Sequence, residues 1–564
     1  MELLHAFFQK IPMAALFLSV AIGYWLGKIK IGNFSLGGMA GTLLAAIVIG
    51  QIGVPVDTVV KEMMFALFIY ATGYVSGPQF FTSLSRKTLS QLHLAVISAV
   101  AVFAFIFVIT KVIGFDKGTA AGLLAGATTE SASIGTAGEA LHRLGLAADK
   151  VKELESNIAV TYAITYLFGM LLVIFFASRV APRLLGIKLK EEAQKLEKEL
   201  GGGEKNLEPG QFEAFGDFAA RVYEIAADSE AVGMTVGAIQ DRFQGNVKVE
   251  RARRKGAWML EVTPELILEV GDLVALGGLT ETVVRAGEFI GRETYHMKHL
   301  GFTAEVRDVV VTHKELRGKT LAEAGQMLDL RRRYGVYATQ LSRLDQEIPM
   351  YPDLTVQSGD VVRFVGATEH VAQAANEVGY SLAPSKLVDY VYLGFGILAG
   401  ILVGMVSVRV AGVPIGLGTG GGCLISGLVF GWLRAKHPTF GNLPGSTAQY
   451  LRDFGLAVFI ASIGLASGPQ AIAQIKQYGV TLPLIGLAVT VFPCLVMVFY
   501  GRFVLKMNPV ILCGAITGNL TSTPALNGVI DAAESSTPVL GYTVSYAIGN
   551  VLLTFLGPVI VYAV

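Results

Sequence analysis

The two ends of this chain repeat one another. Leu36-Gly-Gly-Met-Ala-Gly-Thr-Leu43 aligns with Leu417-Gly-Thr-Gly-Gly-Gly-Cys-Leu424, and Gly73-Tyr-Val-Ser-Gly-Pro-Gln79 with Gly464-Leu-Ala-Ser-Gly-Pro-Gln470. Gly122 and Gly126 align with Gly514 and Gly518, and Val160-Thr-Tyr-Ala-Ile164 with Val544-Ser-Tyr-Ala-Ile548. Four matches in one order constrain the fold strongly, because internal duplication is the usual architecture of secondary transporters. Both copies are apolar. Across 564 residues 52% are hydrophobic and only 16% charged, against about 25% charged in soluble domains. Most of those charges fall between Lys188 and Lys386.

Apolar runs of roughly 18 residues or more predict membrane spans. In the first copy these are Ile11–Gly27, Leu36–Gly53, Met63–Phe81, Leu89–Ile113 and Asn157–Ser178. In the second they are Leu387–Val410, Ile415–Leu433, Phe454–Ala473, Val480–Leu505 and Gly541–Val564. Gly118–Leu146 and Pro509–Glu534 differ: each is apolar, then polar at a tip, then apolar and small again. Each predicts a hairpin dipping into the membrane or a helix unwound within it. Ile11–Gly27 lacks a preceding basic flank and reads as a first span, not a cleavable signal.

Basic clusters set the orientation. If both polar segments are re-entrant hairpins, Lys28/Lys30, Arg86/Lys87, Arg179/Arg183/Lys188, Lys386, Arg434/Lys436 and Arg502/Lys506 all lie on one side. Each copy then has five crossings, so the repeats are inverted. Both termini lie outside, and the charged middle lies in the cytoplasm. Full crossings would scatter the clusters.

The middle is duplicated too. Gly233-Met-Thr-Val236 resembles Gly318-Lys-Thr-Leu321, and Gly271-Asp272 through Glu281 matches Gly359-Asp360 through Glu369. Strand-like runs alternate with amphipathic helices. The expected organisation is a first transmembrane repeat (1–187), a linker (188–210), two similar α+β domains (211–295 and 296–380) and a second transmembrane repeat (381–564). Glu191–Gly210 is charged and then glycine-rich, which predicts a solvated tether.

Chemistry concentrates at the two tips. Backbone inside a bilayer must be hydrogen-bonded unless it lines a cavity, so polar tips predict a substrate cavity. Thr128, Thr129, Glu130, Ser131 and Ser133 form one tip, and Asn519, Thr521, Ser522, Thr523 and Pro524 the other. Free N–H groups at broken helix ends suit carboxylates, and Pro524 is expected to stop a helix there. Glu130 is an ionisable group at membrane depth, functional by default, and the candidate to bind a coupling proton or cation or to pair with a substrate amine. Its aligned partner is Ser522, so that role is asymmetric. Gly77-Pro78-Gln79 and Gly468-Pro469-Gln470 are read as ending spans in a sharp turn, with Gln79 and Gln470 facing the cavity. Arg452 and Asp453 read as a local ion pair at the membrane edge, although Arg452 could attract an anion.

A net charge of +1 gives no case for nucleic acid. Cys423, Cys494 and Cys513 are too few and scattered for a disulfide framework or a zinc site. No Gly-x-x-x-x-Gly-Lys-Ser/Thr, His-Glu-x-x-His or Gly-x-Ser-x-Gly pattern occurs. No enzyme activity, cofactor or metal is therefore expected.

The Gly-Pro-Gln repeats, paired polar hairpins and central tandem together resemble the aspartate:alanine exchanger family of bacterial secondary transporters. The central domains are similar to the C-terminal domains of regulators of potassium conductance. The resemblance implies exchange of small carboxylates or amino acids across a bacterial inner membrane. A homodimer, an elevator-like movement and a small cytoplasmic ligand on the middle module are expected with it. One departure stands out: no arginine lies within Met63–Gly77 or Phe454–Gly468 to meet a dianion. The second reading is a cation channel or cation-coupled transporter gated by the middle module, but no filter-like Gly-Tyr-Gly run is present.

Overall fold

A computed structural model describes residues 2–31, 34–35, 37–83, 89–199, 218–255, 257–258, 262–294, 303–343, 346–357, 359–382, 388–410, 413–436 and 441–564. Arg86/Lys87, Gly201–Gly203 and Lys386 of the sequence reading lie outside them. The chain divides into two compact units, Met1–Leu196 with Lys386–Val564, and Glu197–Ser385.

The first copy runs α1 (Glu2–Lys10), α2 (Pro12–Gly27), α3 (Gly38–Gly50), α4 (Thr58–Ser83), α5 (Leu89–Ile113), α6 (Lys117–Ala127), α7 (Ala132–Arg143), α8 (Ala148–Phe175), α9 (Ala181–Leu184) and α10 (Leu189–Glu199). Strands β1 (Lys30–Ile31) and β2 (Phe34–Ser35) pair between α2 and α3. The tether expectation is corrected by α10, an amphipathic helix that buries Leu189, Ala193 and Leu196. Its spacing of apolar residues at three and four suits a helix packed on one face.

In the middle unit β3 (Phe218–Ile225), α11 (Val236–Arg242), β4 (Val247–Arg254), β5 (Ala257–Trp258), β6 (Leu273–Leu279), α12 (Thr280–Ile290) and β7 (Gly291–Glu293) form one sheet, ordered β5-β4-β6-β3-β7. Then β8 (Ala304–Val311), α13 (Leu321–Leu328), α14 (Leu330–Tyr334), β9 (Tyr337–Arg343), β10 (Gln346–Ile348), β11 (Val361–Ala367), α15 (Thr368–Val378) and β12 (Gly379–Ser381) form a second, ordered β10-β9-β11-β8-β12. The two topologies are the same. The repeated Gly-Asp has a physical reason. Gly271 and Gly359 turn with φ 82° and 91°, which favours glycine. Asp272 takes Arg254 on both oxygens (2.9 and 2.7 Å) and the Glu269 N–H (2.8 Å). Asp360 takes Arg343 (2.7 and 2.8 Å) and the Gln357 N–H (2.8 Å).

The second copy runs α16 (Tyr390–Gly404), β13 (Ser407–Val410), β14 (Val413–Gly416), α17 (Gly418–Lys436), α18 (Gly445–Tyr478), α19 (Thr481–Phe499), α20 (Pro509–Asn519), α21 (Thr523–Ala533) and α22 (Val539–Ala563). Again a two-stranded hairpin joins the first two helices. Six helices of the described residues are long and apolar enough to cross a membrane, those built on α4, α5, α8, α18, α19 and α22. Helices α2, α3 and α16 are shorter. The Gly-Pro-Gln expectation is corrected: α4 continues past Pro78 to Ser83, and α18 past Pro469 to Tyr478. A proline inside a helix removes one hydrogen bond and bends it without ending it.

The copies interlock. Helix α4 packs on α17 of the other copy, and α18 packs on α3. A Cβ at Gly73 would strike the Leu424 carbonyl, and one at the aligned Gly464 would sit 3.1 Å from the Leu43 carbonyl. Such small-residue crossings let helices approach in lipid, where the hydrophobic effect does not drive them together.

Two outcomes follow. Gly431→Val places a side chain on the Tyr74 carbonyl and should destabilise the purified protein by about 1–3 kcal/mol. Its thermal unfolding should occur below that of Gly394→Val, whose Cβ meets nothing within 4 Å. Asp360→Ala removes the carboxylate of Arg343, leaving it only the Thr355 carbonyl, and should cost roughly 2–3 kcal/mol, read as faster hydrogen exchange across Val361–Ala367 in the full chain.

Candidate functional site

Each polar segment is a helical hairpin broken at its tip. The near arms begin at aligned capping residues. The Asp116 carboxylate accepts from Thr119 N–H, and Asn508 accepts from Val510 and Ile511 N–H. At the tips Thr129 and Thr521, also aligned, adopt φ 56° and 52°, a left-handed conformation uncommon for threonine. That strain is held by contact with the other tip. The Thr129 hydroxyl donates to the Leu520 carbonyl (2.8 Å), and the Thr521 hydroxyl donates to the Thr128 carbonyl (3.3 Å). The alignment exchanges one bond with the other, so the hairpins meet tip to tip as equivalent partners.

A second hydroxyl on each tip meets a tyrosine. Ser131 lies 2.7 Å from the Tyr162 hydroxyl, and the aligned Thr523 lies 2.8 Å from the Tyr542 hydroxyl. Thr490 of α19 donates to the Ala127 carbonyl at the end of the first near arm (2.9 Å). Thr128 and Ser133 turn inward, onto the carbonyls of Leu124 and Glu130 (both 2.7 Å).

The tips differ in charge. Glu130 is buried, and its Oε1 accepts from Ala132 N–H (3.0 Å), filling the positive end of α7. Its Oε2 has no partner among the described residues. On the other hairpin Ser522 supplies no side-chain cap to α21, so the first-turn N–H groups are not taken by a side chain. Pro524 occupies the first turn of α21, where its fixed φ suits a helix start; it begins a helix and does not stop one. Asn519 Oδ1, Ser522 Oγ, Ser545 Oγ and Asn550 Oδ1 are likewise buried without partners among the described residues. Buried polar atoms without partners in a membrane interior are costly, which makes those at the tips candidate binding groups.

Gln79 is buried on α4, and Gln470 is exposed on α18. Gln79 lies fourteen residues beyond Phe65, the residue through which α4 meets Gly135 of the first returning arm; at 1.5 Å per residue that is about 21 Å along the helix.

Tyr162 and Tyr546 sit in the repeated Tyr-Ala-Ile motif, so the signal for them was already present in the duplication. Tyr542 has no such mark. It is recognised as part of the site because it lies one helical turn before Tyr546 on the same face of α22. Arg452 lies within α18, which begins at Gly445, two turns before the expected span. It pairs with Asp453 as expected (3.0 Å).

The two returning arms are not equally covered. Helix α7 is buried along nearly all its length, whereas Thr523, Pro524, Asn527 and Asp531 of α21 are exposed. Glu139 on α7 accepts from Gly420 N–H (3.2 and 3.0 Å) at the start of α17, and Arg143 donates to the Gly404 carbonyl (3.3 Å). The residue aligned with Glu139 is the exposed Asp531. The N-terminus of α3, which aligns with that of α17, has no side-chain cap.

Comparison with known families matches residues 15–182 and 392–562, both membrane copies, to the Asp-Al_Ex family, described as a predicted permease membrane region. An uncharacterized transporter of Zymomonas mobilis is 39% identical over 563 residues, covering 100% of this chain and 99% of its own. Another, from Bradyrhizobium diazoefficiens, is 40% identical over 562 residues, with 98% and 97% covered. A third, from Francisella tularensis, is 35% identical over 554 residues, also with 98% and 97% covered. No solved structure matches the chain significantly. With more than half of its length matched and full-length relatives named as transporters, this chain belongs to the Asp-Al_Ex family of multi-pass membrane permeases.

Proposed function

We propose that this permease is a secondary antiporter exchanging small carboxylates or amino acids, of the aspartate/alanine type, by elevator-like alternating access. The observation that carries this reading is the tip-to-tip junction of Thr129 and Thr521, with buried atoms of the neighbouring Glu130 and Ser522 left without partners among the described residues. The binding set is Thr128, Thr129, Glu130, Ser131, Ser133, Asn519, Thr521, Ser522, Thr523 and Pro524. Glu130 is the coupling residue. Gln79 on α4 and Gln470 on α18 complete the candidate set.

The alternating movement is supported by the asymmetry of the arms. If the copies are inverted repeats, their environments exchange when the site turns to the other face of the membrane. Glu139 then leaves the start of α17, and Asp531 takes up the start of α3. A carboxylate at a helix N-terminus is favourable in either state, so the two caps make the end states comparable in energy. With the charge clusters on one side, both termini lie outside a bacterial inner membrane. The middle unit is then cytoplasmic. Its two similar domains suit binding of a small cytoplasmic ligand, and the assembly is a homodimer.

Proteoliposomes preloaded with L-aspartate or L-alanine should take up labelled acid only when internal substrate is present. Failure across a broad panel of acids would sink the antiporter. Glu130→Gln should lower exchange by about tenfold or more, the scale of losing one charged contact; unchanged rate and unchanged pH dependence would remove the coupling role. Oxidative cross-linking of Glu139→Cys/Thr419→Cys should form at rest and stop exchange. Asp531→Cys/Met39→Cys should cross-link when substrate drives cycling. The native Cys423, Cys494 and Cys513 are buried, so background is low. A cross-linked first pair that still exchanges would contradict the alternating cap.

A further inference from the structure

Each tip is pinned on both sides of one free polar group. We infer that Tyr162 and Tyr542 are positioning residues that hold Glu130 and Ser522 in place for the substrate; this rests on the transport reading above. The Ser131 hydroxyl lies 2.7 Å from that of Tyr162 on α8, and the Thr523 hydroxyl 2.8 Å from that of Tyr542 on α22. The equivalence extends along both helices. A Cβ at Gly126 would lie 2.9 Å from the Tyr166 amide nitrogen, and one at Gly518 would lie 2.8 Å from that of Tyr546. The ring centroids of Tyr162 and Tyr166 are 5.1 Å apart, and those of Tyr542 and Tyr546 are 5.2 Å apart. These contacts match Tyr162-Ala-Ile-Thr-Tyr-Leu-Phe-Gly169 to Tyr542-Thr-Val-Ser-Tyr-Ala-Ile-Gly549. That register lies about one helical turn from the Tyr-Ala-Ile alignment, and it is the one the fold uses.

Each tip is then a clamp of consecutive residues. The first, Thr129 or Thr521, is left-handed and gives its hydroxyl to the other hairpin. The last, Ser131 or Thr523, meets the tyrosine of its own copy. Between them stand Glu130 and Ser522, whose Oε2 and Oγ are buried without partners among the described residues. Strained backbone persists only where its surroundings over-determine it, and here the flanking hydroxyls do so. With both neighbours held, the Cα–Cβ direction of the middle residue is held as well.

The duplication separates the clamp from what it holds. The first and last positions carry a hydroxyl in both copies, and so does the tyrosine; the middle position has diverged from carboxylate to hydroxyl. Tyr162 and Tyr542 are buried. Phenylalanine would fill the same space without needing a polar partner, so packing alone does not account for a tyrosine in both copies. A hydroxyl held against each tip does.

Apparent KM for L-alanine counterflow, the binding midpoint from the thermal shift by L-alanine, and the unfolding temperature are measured in wild type and variants. Tyr162→Phe and Tyr542→Phe should each raise KM and midpoint by about three- to tenfold, the scale of one hydrogen bond. Ser131→Ala and Thr523→Ala break the same bonds from the other side. They should match the tyrosine variants and add little when combined with them. Ser131→Thr and Thr523→Ser, each the residue of the other copy, should recover much of the affinity that alanine loses. In a Glu130→Ala background Tyr162→Phe should change the midpoint by less than about twofold, because the group it positions is gone. Tyr74→Phe loses a bond of the same kind outside the tips, to the Gly441 carbonyl (3.0 Å). It should lower the unfolding temperature and leave KM within about twofold. Either tip variant, Tyr162→Phe or Tyr542→Phe, lowering only the unfolding temperature, as Tyr74→Phe does, would overturn the positioning role and leave the antiporter standing. Tyrosine-dependent binding without exchange in the wild type would overturn the antiporter and leave the positioning role standing. Neither binding nor exchange of any acid would overturn both.

Discussion

A polypeptide that reverses inside a bilayer must satisfy the backbone it exposes there. In this permease the two reversals do so on each other. The Thr129 hydroxyl serves the Leu520 carbonyl, and the Thr521 hydroxyl serves the Thr128 carbonyl. Everything near the site follows from that junction. The tips need left-handed threonines to present the hydroxyls. The near arms need capped starts at Asp116 and Asn508, and the long helices α8, α19 and α22 must hold the arms close enough to touch.

The junction is symmetric, but its surroundings are not. Glu130 fills the N-terminus of α7, while the aligned Ser522 leaves that of α21 without a side-chain cap. Glu139 is docked on α17, while the aligned Asp531 is exposed. Lys61 is paired with Glu155 of another helix, while the aligned Arg452 is paired with its own neighbour Asp453. Duplication explains why equivalent residues exist at all. Divergence of a few side chains explains why the surroundings of the junction differ between two equivalent halves. A transporter that alternates needs both properties: equivalence makes two end states of similar energy, and asymmetry gives the substrate an orientation.

The middle unit shows the same economy at smaller scale. Two sheets of one topology each close on a buried aspartate that takes an arginine and a backbone N–H. Gly271-Asp272 and Gly359-Asp360 were recognisable as turns, because glycine before aspartate is turn chemistry. The arginine partners were not, since Arg254 and Arg343 reach the turns only through strand pairing.

The sequence by itself determined the duplication, the apolar copies, the two polar tips and the charged middle. These are properties of local composition and of order along the chain, and periodicity and alignment read them directly. It misjudged the Gly-Pro-Gln segments, because a proline breaks an isolated helix but is tolerated where neighbouring helices hold both sides in place. It likewise read Glu191–Glu199 as tether, where an apolar stripe found a surface to cover. Only the tertiary structure decided which residues meet. Thr129 and Thr521 lie far apart in the chain, yet each hydroxyl serves a carbonyl of the other hairpin. Contacts between distant segments depend on how whole helices cross. No single stretch of sequence encodes that, because the crossing is set by glycines on both partners at once.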